Sequence, residues 1–340
     1  MRKVLLVFLF LGVSAAGAAA IYWQRTGVMM QAAGPHHQPV PLVVKPGASV
    51  RAVLAELDRA GALADRRGVE IRLRVQGWPQ IKTGRYDIPA GASPDDILRQ
   101  LAEGRVILEA LTVVEGWTFA DMRRVIEAHP QIKQTLRGME TDALMAAIGH
   151  AGEHPEGRFF PDTYRFAAGT PDRDLFELAY RKMAEAVDSV WASRAADLPL
   201  DNAYQALILA SIVEKESALA SERPHIAGVF VNRLRKNMRL QTDPTVIYGI
   251  GPTYDGNIRE RDLRTDTPYN TYTRAGLPPT PIALPSRESI EAATHPLATD
   301  DLFFVASGEG DGSHVFSATL EAHNAALARY LSRLKGNKTR

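Results

Sequence analysis

The chain has 340 residues, 45% of them hydrophobic and 23% charged, enough apolar material for a sizeable core and a length that suits two folded units. Lys and Arg number 40 against 39 Asp and Glu, a formal net charge of +1, which excludes the basic footprint of a nucleic-acid binder. The absence of cysteine excludes a disulfide scaffold and thiolate catalysis and is compatible with an oxidising compartment.

Arg2 and Lys3 precede an uncharged run over residues 4–23, long enough at about 1.5 Å per residue to cross a hydrocarbon core of about 30 Å. Positive residues on the short side put the N-terminus in the cytoplasm and the rest of the chain outside, with Tyr22 and Trp23 at the far interface. A cleavable signal peptide is the rival, with Ala18-Ala19-Ala20 as its cleavage site. Both readings export the protein. Residues 24–41, with Gly, Pro and two His, read as a short tether.

A strand–turn–helix pattern then recurs. Residues 42–44 are β-prone, and Lys45-Pro46-Gly47-Ala48 is a turn. Ser49 caps a helix with Val50, Val53, Leu54 and Leu57 on one face, stopped by Gly61. Residues 85–88 read as the next strand, and Ser93 caps a helix with Pro94 first, Ile97, Leu98 and Leu101 inward and Gly104 as the stop. A weaker third echo is residues 111–114 followed by a helix over 118–128. These units resemble LysM modules, which bind N-acetylglucosamine-containing glycans; a small α+β domain without a ligand is the plainer reading. Val69, Ile71, Leu73 and Val75 alternate with polar residues as a strand would, where the resemblance implies helix.

Beyond Leu111 the pattern is mainly helical, with helices expected over 174–190, 203–217 and 223–236. Residues 268–285 carry five prolines and read as an irregular surface path. Residues 302–305 and 314–316 read as strands around a Gly-rich turn. The last helix, 320–334, leads into a solvated basic tail.

Ser211-Ile212-Val213-Glu214-Lys215-Glu216 is the densest chemical signal. At about 100° per residue, Glu214 and Glu216 point about 200° apart and cannot form a two-carboxylate pair. Glu216 falls on the apolar arc of Leu209, Ile212 and Val213, and Glu214 beside the polar flank of Ser211 and Lys215. A carboxyl among apolar groups holds its proton to higher pH, as a general acid must. A helix-end carboxylate in a structural ion pair is the competing role. Asp243 reads first as an N-cap, with Pro244 at the first helical position. Gln241 has no such structural duty and could bond a sugar hydroxyl or acetamido group. Asn270 and Tyr272, on a proline-stiffened loop, suit a polysaccharide, although loop packing accounts for most such residues. His314 is a ligand contact or a satisfied strand histidine. His150-Ala151-Gly152-Glu153-His154 matches an inverted zinc-protease pattern, but Gly152 and Pro155 oppose the required helix. No metal and no cofactor is expected.

Taken together, several segments resemble the MltG (YceG-like) family of endolytic murein transglycosylases. They are Glu156-Gly157-Arg158-Phe159-Phe160-Pro161-Asp162-Thr163-Tyr164, residues 210–217, Ala220-Ser221-Glu222-Arg223, Asn232-Arg233-Leu234, residues 238–249, Asn270-Thr271-Tyr272, Gly276-Leu277-Pro278-Pro279, His295-Pro296 and His323-Asn324. Departures fall at residues 69–80 and at the long turn 308–313, the second putting a role for His314 in doubt. The resemblance implies an α+β fold: an N-terminal transmembrane helix (1–23), the tether (24–41), a small LysM-like subdomain (42–108) and a larger, mainly helical catalytic domain (109–340). It implies Glu216, the second glutamate of the family's E-K-E motif, as sole catalytic acid and base. Gln241, Asp243, Asn270, Tyr272 and His314 are the candidate substrate contacts.

The implied reaction is cleavage of the β-1,4 bond between N-acetylmuramic acid and N-acetylglucosamine in nascent peptidoglycan strands, leaving 1,6-anhydro ends and limiting strand length. Peptidoglycan synthases (penicillin-binding proteins) are the implied partners, the inner membrane with a periplasmic catalytic domain is the implied location, and no nucleic acid is involved. A non-catalytic envelope glycan-binding protein is the alternative, and a metal-dependent envelope hydrolase a weaker third.

Overall fold

The computed structural model describes residues 2–338, with side chains described over 9–334. The chain is α+β and forms two compact units, Met1–Glu109 with Arg165–Thr170, and Ala110–Tyr164 with Pro171–Arg340.

The first unit contains α1 (Arg2–Gln31), β1 (Val40–Val44), α2 (Val50–Arg59), α3 (Arg66–Gln76), β2 (Gly84–Ile88) and α4 (Pro94–Glu103). β1 and β2 pair antiparallel with Leu42 opposite Tyr86. Alternation turns Val40, Leu42 and Val44 inward, onto Val53, Leu54 and Leu57 of α2 and Ile97, Leu98 and Leu101 of α4. Ser49 and Ser93 cap α2 and α4, and Gly104 closes α4 at φ 74°. That left-handed turn costs glycine nothing.

Residues 66–76 are helical, which settles the ambiguous alternation. Asp65 accepts the Gly68 N–H at 3.0 Å, Arg66 pairs with Glu70 one turn on, and only Val69 and Leu73 of the alternating set are buried. Ile71 and Val75 are exposed, so their apolar character imitates a strand without serving a core.

Residues 24–41 are not the expected loose tether. α1 continues through Gln31, Thr26 and Met30 are buried, and the His36 ring bonds the Pro89 carbonyl at 2.8 Å. Among the described residues no helix is long and apolar enough to cross a membrane. Arg2, Lys3 and the first apolar positions of the expected anchor, residues 4–8, lie outside the described side chains, as does the end of the basic tail.

The unit boundary falls within β3 (Leu108–Thr112) and β4 (Thr163–Ala167), which pair with each other. The second unit is largely helical: α5 (Phe119–Ala128), α6 (Thr141–Ala147), α7 (Asp172–Ala192), α8 (Ala203–Glu216), α9 (Arg223–Arg235), α10 (Asp243–Ile250), α11 (Glu260–Arg264), α12 (Arg287–Thr294) and α13 (Leu320–Lys338). An antiparallel pair, β5 (Phe303–Ala306) and β6 (His314–Ser317), adjoins α13. Residues 206–213 of α8 are buried without a break, the mark of a central helix covered on all sides. α7, α9 and α12 supply the cover.

The proline-rich stretch is irregular, with Pro268, Arg274, Ala275 and Pro279 exposed, but its end is not a surface path. Residues 280–286 are buried throughout. Such a segment must find partners for its backbone outside regular structure. The Ile282 N–H donates to Ser211 Oγ at 3.0 Å. Leu284 exchanges bonds with Trp117 O (2.7 Å) and Gly116 N–H (2.8 Å), and the Ser286 N–H donates to Glu214.

Candidate active site

α8 begins at the cap Asn202 and ends at Glu216, with Ser217 leaving the helix in an extended conformation. The buried face of the helix is fixed by the core, so the two glutamates of its last turn have no freedom to exchange places.

Glu214 Oε2 accepts from the Ser286 N–H at 2.9 Å, Ser286 Oγ at 2.5 Å and Ser289 Oγ at 2.7 Å. Arg223 approaches its other oxygen at 3.3 Å, and the side chain is only 6% exposed. The expected polar flank is therefore a buried anion clamp at the N-terminus of α12, where aligned N–H groups favour negative charge.

Glu216 is half-buried. Thr242 Oγ1 donates to its Oε1, and among the described residues no donor reaches Oε2. Loss of hydration raises its pKa to about 7; Asp243 adds to the rise, while the Thr242 bond, His314 and Arg233 oppose it. The carboxyl thus carries a proton near neutrality and keeps one oxygen uncommitted, the two properties a proton donor requires.

Thr242 is aimed by a network of threonines. Its N–H donates to Thr271 Oγ1 (3.1 Å), Thr245 Oγ1 donates to its carbonyl (2.7 Å), and the Thr245 and Thr271 hydroxyls meet at 2.9 Å. All three residues are buried. Thr242, not Asp243, is the N-cap of α10, and its hydroxyl makes no cap bond. A threonine in that position ordinarily bonds the first turn; here Glu216 takes the bond instead. Asp243, released from capping, accepts from the Tyr272 hydroxyl at 2.6 Å.

The expected substrate contacts divide into two groups. Gln241 and Asp243 are exposed, and Tyr272 and His314 half-buried. Gln241 adjoins Thr242 with φ 51°, a left-handed conformation that is uncommon outside glycine and is held here by its N–H bond to Thr271 O at 3.2 Å. Asp243, Tyr272 and His314 all interact electrostatically with Glu216. His314 is fixed by Glu222, which accepts the His314 N–H at 3.0 Å and meets Nδ1 at 2.7 Å. Asn270 differs. It is 1% exposed, and its amide donates to the carbonyls of Asp262, Leu263 and Thr265 while accepting the Tyr272 N–H at 2.8 Å. Its amide is consumed in shaping the loop that carries Tyr272, which leaves nothing for a sugar.

Arg233 of α9 underlies the site. Its guanidinium donates to Leu302 O at 2.6 Å and Leu240 O at 2.7 Å and supplies a positive charge near Glu216. A second buried carboxyl, Glu156, also has its pKa raised by burial to about 7. It accepts the Phe119 N–H at 2.9 Å and the Tyr248 hydroxyl at 3.0 Å, so both oxygens are committed. The zinc-like motif forms a turn in which His150 stacks on Tyr180 with ring centroids 3.5 Å apart. Among the described residues no cluster of three or more His, Asp or Glu could hold a metal. A cavity of about 500 Å³ bordered by Gly228, Asn232, Arg235 and Leu297 does not include Glu216.

The sequence model of the YceG-like family matches residues 42–329, most of the chain. The chain belongs to the YceG-like family.

An endolytic murein transglycosylase of Bacillus subtilis (strain 168) is 31% identical to this YceG-like chain over 312 residues, covering 86% of the chain and 85% of that protein. An endolytic murein transglycosylase of Streptococcus pneumoniae (strain D39) is 25% identical over 329 residues; this chain spans 58% of its length. The crystal structure of a YceG-like protein from Listeria monocytogenes superposes over 85% of this chain and 99% of that one, with a TM-score of 0.54 and 28% identity.

Thr242, Glu222 and Glu156 escaped the sequence reading of site chemistry, although each lies in a segment that carries the family resemblance. The one local hint for Thr242 was its place before Asp243-Pro244, where it competes with Asp243 for the cap.

Proposed function

We propose that this YceG-like protein is an endolytic peptidoglycan lytic transglycosylase that cleaves the β-1,4 bond between N-acetylmuramic acid and N-acetylglucosamine. The observation that carries the reading is Glu216: a carboxyl protonated near neutral pH, with one oxygen held by Thr242 and the other free. The names of the relatives in B. subtilis and S. pneumoniae agree with it.

One carboxyl suffices because the substrate brings its own nucleophile. Glu216 transfers its proton to the glycosidic oxygen as the bond from that oxygen to C1 of the muramic acid breaks. The carboxylate so formed takes the proton of the muramic acid 6-hydroxyl as O6 bonds to C1. The products are a 1,6-anhydro end and a free 4-hydroxyl, with the acid restored and no water consumed. This differs from hydrolases that need a second carboxylate, and attack from within the same sugar gains from high effective molarity. Thr242 keeps Oε1 in place through both steps. Gln241, Asp243, Tyr272 and His314 contact the flanking sugars in this reading, and Asn270 shapes the loop beneath them.

The same proposal puts α1 in the inner membrane, with the rest of the first unit and the second unit in the periplasm, supported by the basic N-terminal pair and the uncharged run that follows. The order strand–helix–helix–strand of β1, α2, α3 and β2, with the two strands paired antiparallel, supports a LysM-like glycan contact in the first unit. Action beside peptidoglycan synthases, setting strand length, completes the reading.

Digestion of nascent glycan or purified sacculi, with products weighed by mass spectrometry, tests it. Anhydro-ended fragments that disappear in Glu216→Gln are expected. Binding without cleavage would leave a glycan-binding protein, and reducing ends abolished by a chelator would indicate a metal-dependent hydrolase.

A further inference from the structure

Within the first unit, α3 presents a face that its core does not use. Arg67, Ile71, Arg74 and Val75 recur at the spacing of a single helical stripe, and Trp78 follows the non-helical Gly77 with the Arg51 guanidinium 5.6 Å from its ring centroid. All five are exposed; Ile71 is 40%, Val75 68% and Trp78 39% accessible. The stripe mixes large apolar groups with two arginines and carries no acid. Glu70 lies on the neighbouring flank and is occupied by Arg66 and Arg51.

The contacts of α3 with α1 give this face a direction. Near its start, Gly68 comes so close to Met29 that an added Cβ would lie 3.1 Å from the methionine methyl. One turn later, Arg72 donates to Trp23 O at 2.7 Å, reaches Thr26 Oγ1 at 3.3 Å and places its guanidinium 4.3 Å from the Trp23 ring centroid. Contacts therefore move from Met29 back to Trp23 as α3 advances, so the two helices run antiparallel. Val75 lies about 4.5 Å further along α3 than Arg72, at about 1.5 Å per residue. That displacement carries it towards the apolar run of α1, level with the Tyr22–Trp23 end where amphipathic rings mark a membrane interface.

We propose that the C-terminal end of α3, with Ile71, Arg74 and Val75, rests on an anionic phospholipid surface, its apolar side chains at the headgroup boundary and Arg74 on the lipid phosphates. The inference rests on the membrane placement of α1 proposed above. Unlike a protein on a flexible tether, the first unit would meet the bilayer at two places, the anchor and the end of α3. Basic residues beside apolar ones are the combination that anionic interfaces favour.

The absence of native cysteine makes the test direct. Val75→Cys in the full chain is labelled with an environment-sensitive fluorophore and reconstituted into phosphatidylcholine vesicles with and without phosphatidylglycerol. The expected result is a blue-shifted emission, quenched by brominated lipid, in the anionic vesicles. The partition should fall about fivefold when Arg74→Ala is added. A label that stays water-exposed while the chain resists alkaline carbonate extraction overturns the α3 contact and leaves the anchor standing. A chain released by carbonate overturns both. A shift produced by soluble glycan fragments without lipid overturns the contact in favour of a sugar surface.

Discussion

Glu214 and Glu216 stand two residues apart on α8 and are treated in opposite ways by the fold. Glu214 accepts from Ser286, Ser289 and Arg223, whereas Glu216 accepts from Thr242 alone among the described residues. The helical step separates an anion with a fixed structural duty from an acid with a free oxygen, and their substitutions should differ in kind.

Glu216→Gln should leave folding intact and lower turnover by about 10²–10⁴-fold, the ordinary contribution of a general acid and base. Glu214→Gln should instead cost about 2–3 kcal/mol of stability through its buried partners, and the molecules that remain folded should keep much more activity. Thermal melts and anhydro-product rates on the same two preparations separate the effects. Equal catalytic losses at equal stability would remove the division of labour.

The pH profile follows from the raised pKa of Glu216. The first step needs the protonated acid, so kcat/KM should fall as pH rises through about 7, approaching tenfold per pH unit beyond it. A limb with its midpoint near the ordinary glutamate value would show that a different group donates.

Thr242 should set where that limb lies. Its hydroxyl donates to the carboxylate and so favours ionisation. Thr242→Val should move the midpoint upward by about 1 pH unit, since a hydrogen bond to a charged group contributes about 1.5–3 kcal/mol and one unit is about 1.36 kcal/mol. Thr242→Ser should restore it. An unshifted midpoint in the valine variant would leave Thr242 a packing residue.

Both raised carboxyls should weaken the fold at alkaline pH. Glu216 and Glu156 bind protons more tightly when folded, at about 7, than at the ordinary value of 4.5. Between those values the native state holds protons that the unfolded chain has released, so stability falls as pH rises through that window and levels off above it. Glu216→Gln and Glu156→Gln should each gain about 1–3 kcal/mol above the window and almost nothing below it. Denaturant melts on either side of the window measure the difference, and a gain independent of pH would contradict the assignment.

The parts of this protein that were legible in its sequence are those governed by local periodicity. The capped helices α2 and α4, the buried α8 and the outward divergence of its glutamates all follow from spacing. What escaped depended on distant partners. Apolar Ile71 and Val75 made α3 look like a strand because sequence does not distinguish a side chain that serves the core from one that faces out. Residues 280–286 look like surface because prolines mark irregular backbone, and only the arrival of Ser211, Trp117 and Glu214 lets such backbone be buried. Asp243 was the obvious cap, yet Thr242 holds that position because the hydroxyl needed by Glu216 comes from there.

The bond from the Ile282 N–H to Ser211 Oγ joins positions 71 residues apart, and it has a consequence for synthesis. As the chain emerges from the ribosome, α8 is complete long before the segment that covers it exists. The eight buried residues at its centre remain a sticky, half-finished surface until residues 280–294 arrive with α12. Helix α8 is thus made before α9 and α12, two of its three covers, and a chain cut short before residue 280 would carry Glu216 on a helix still lacking the α12 side of its shelter.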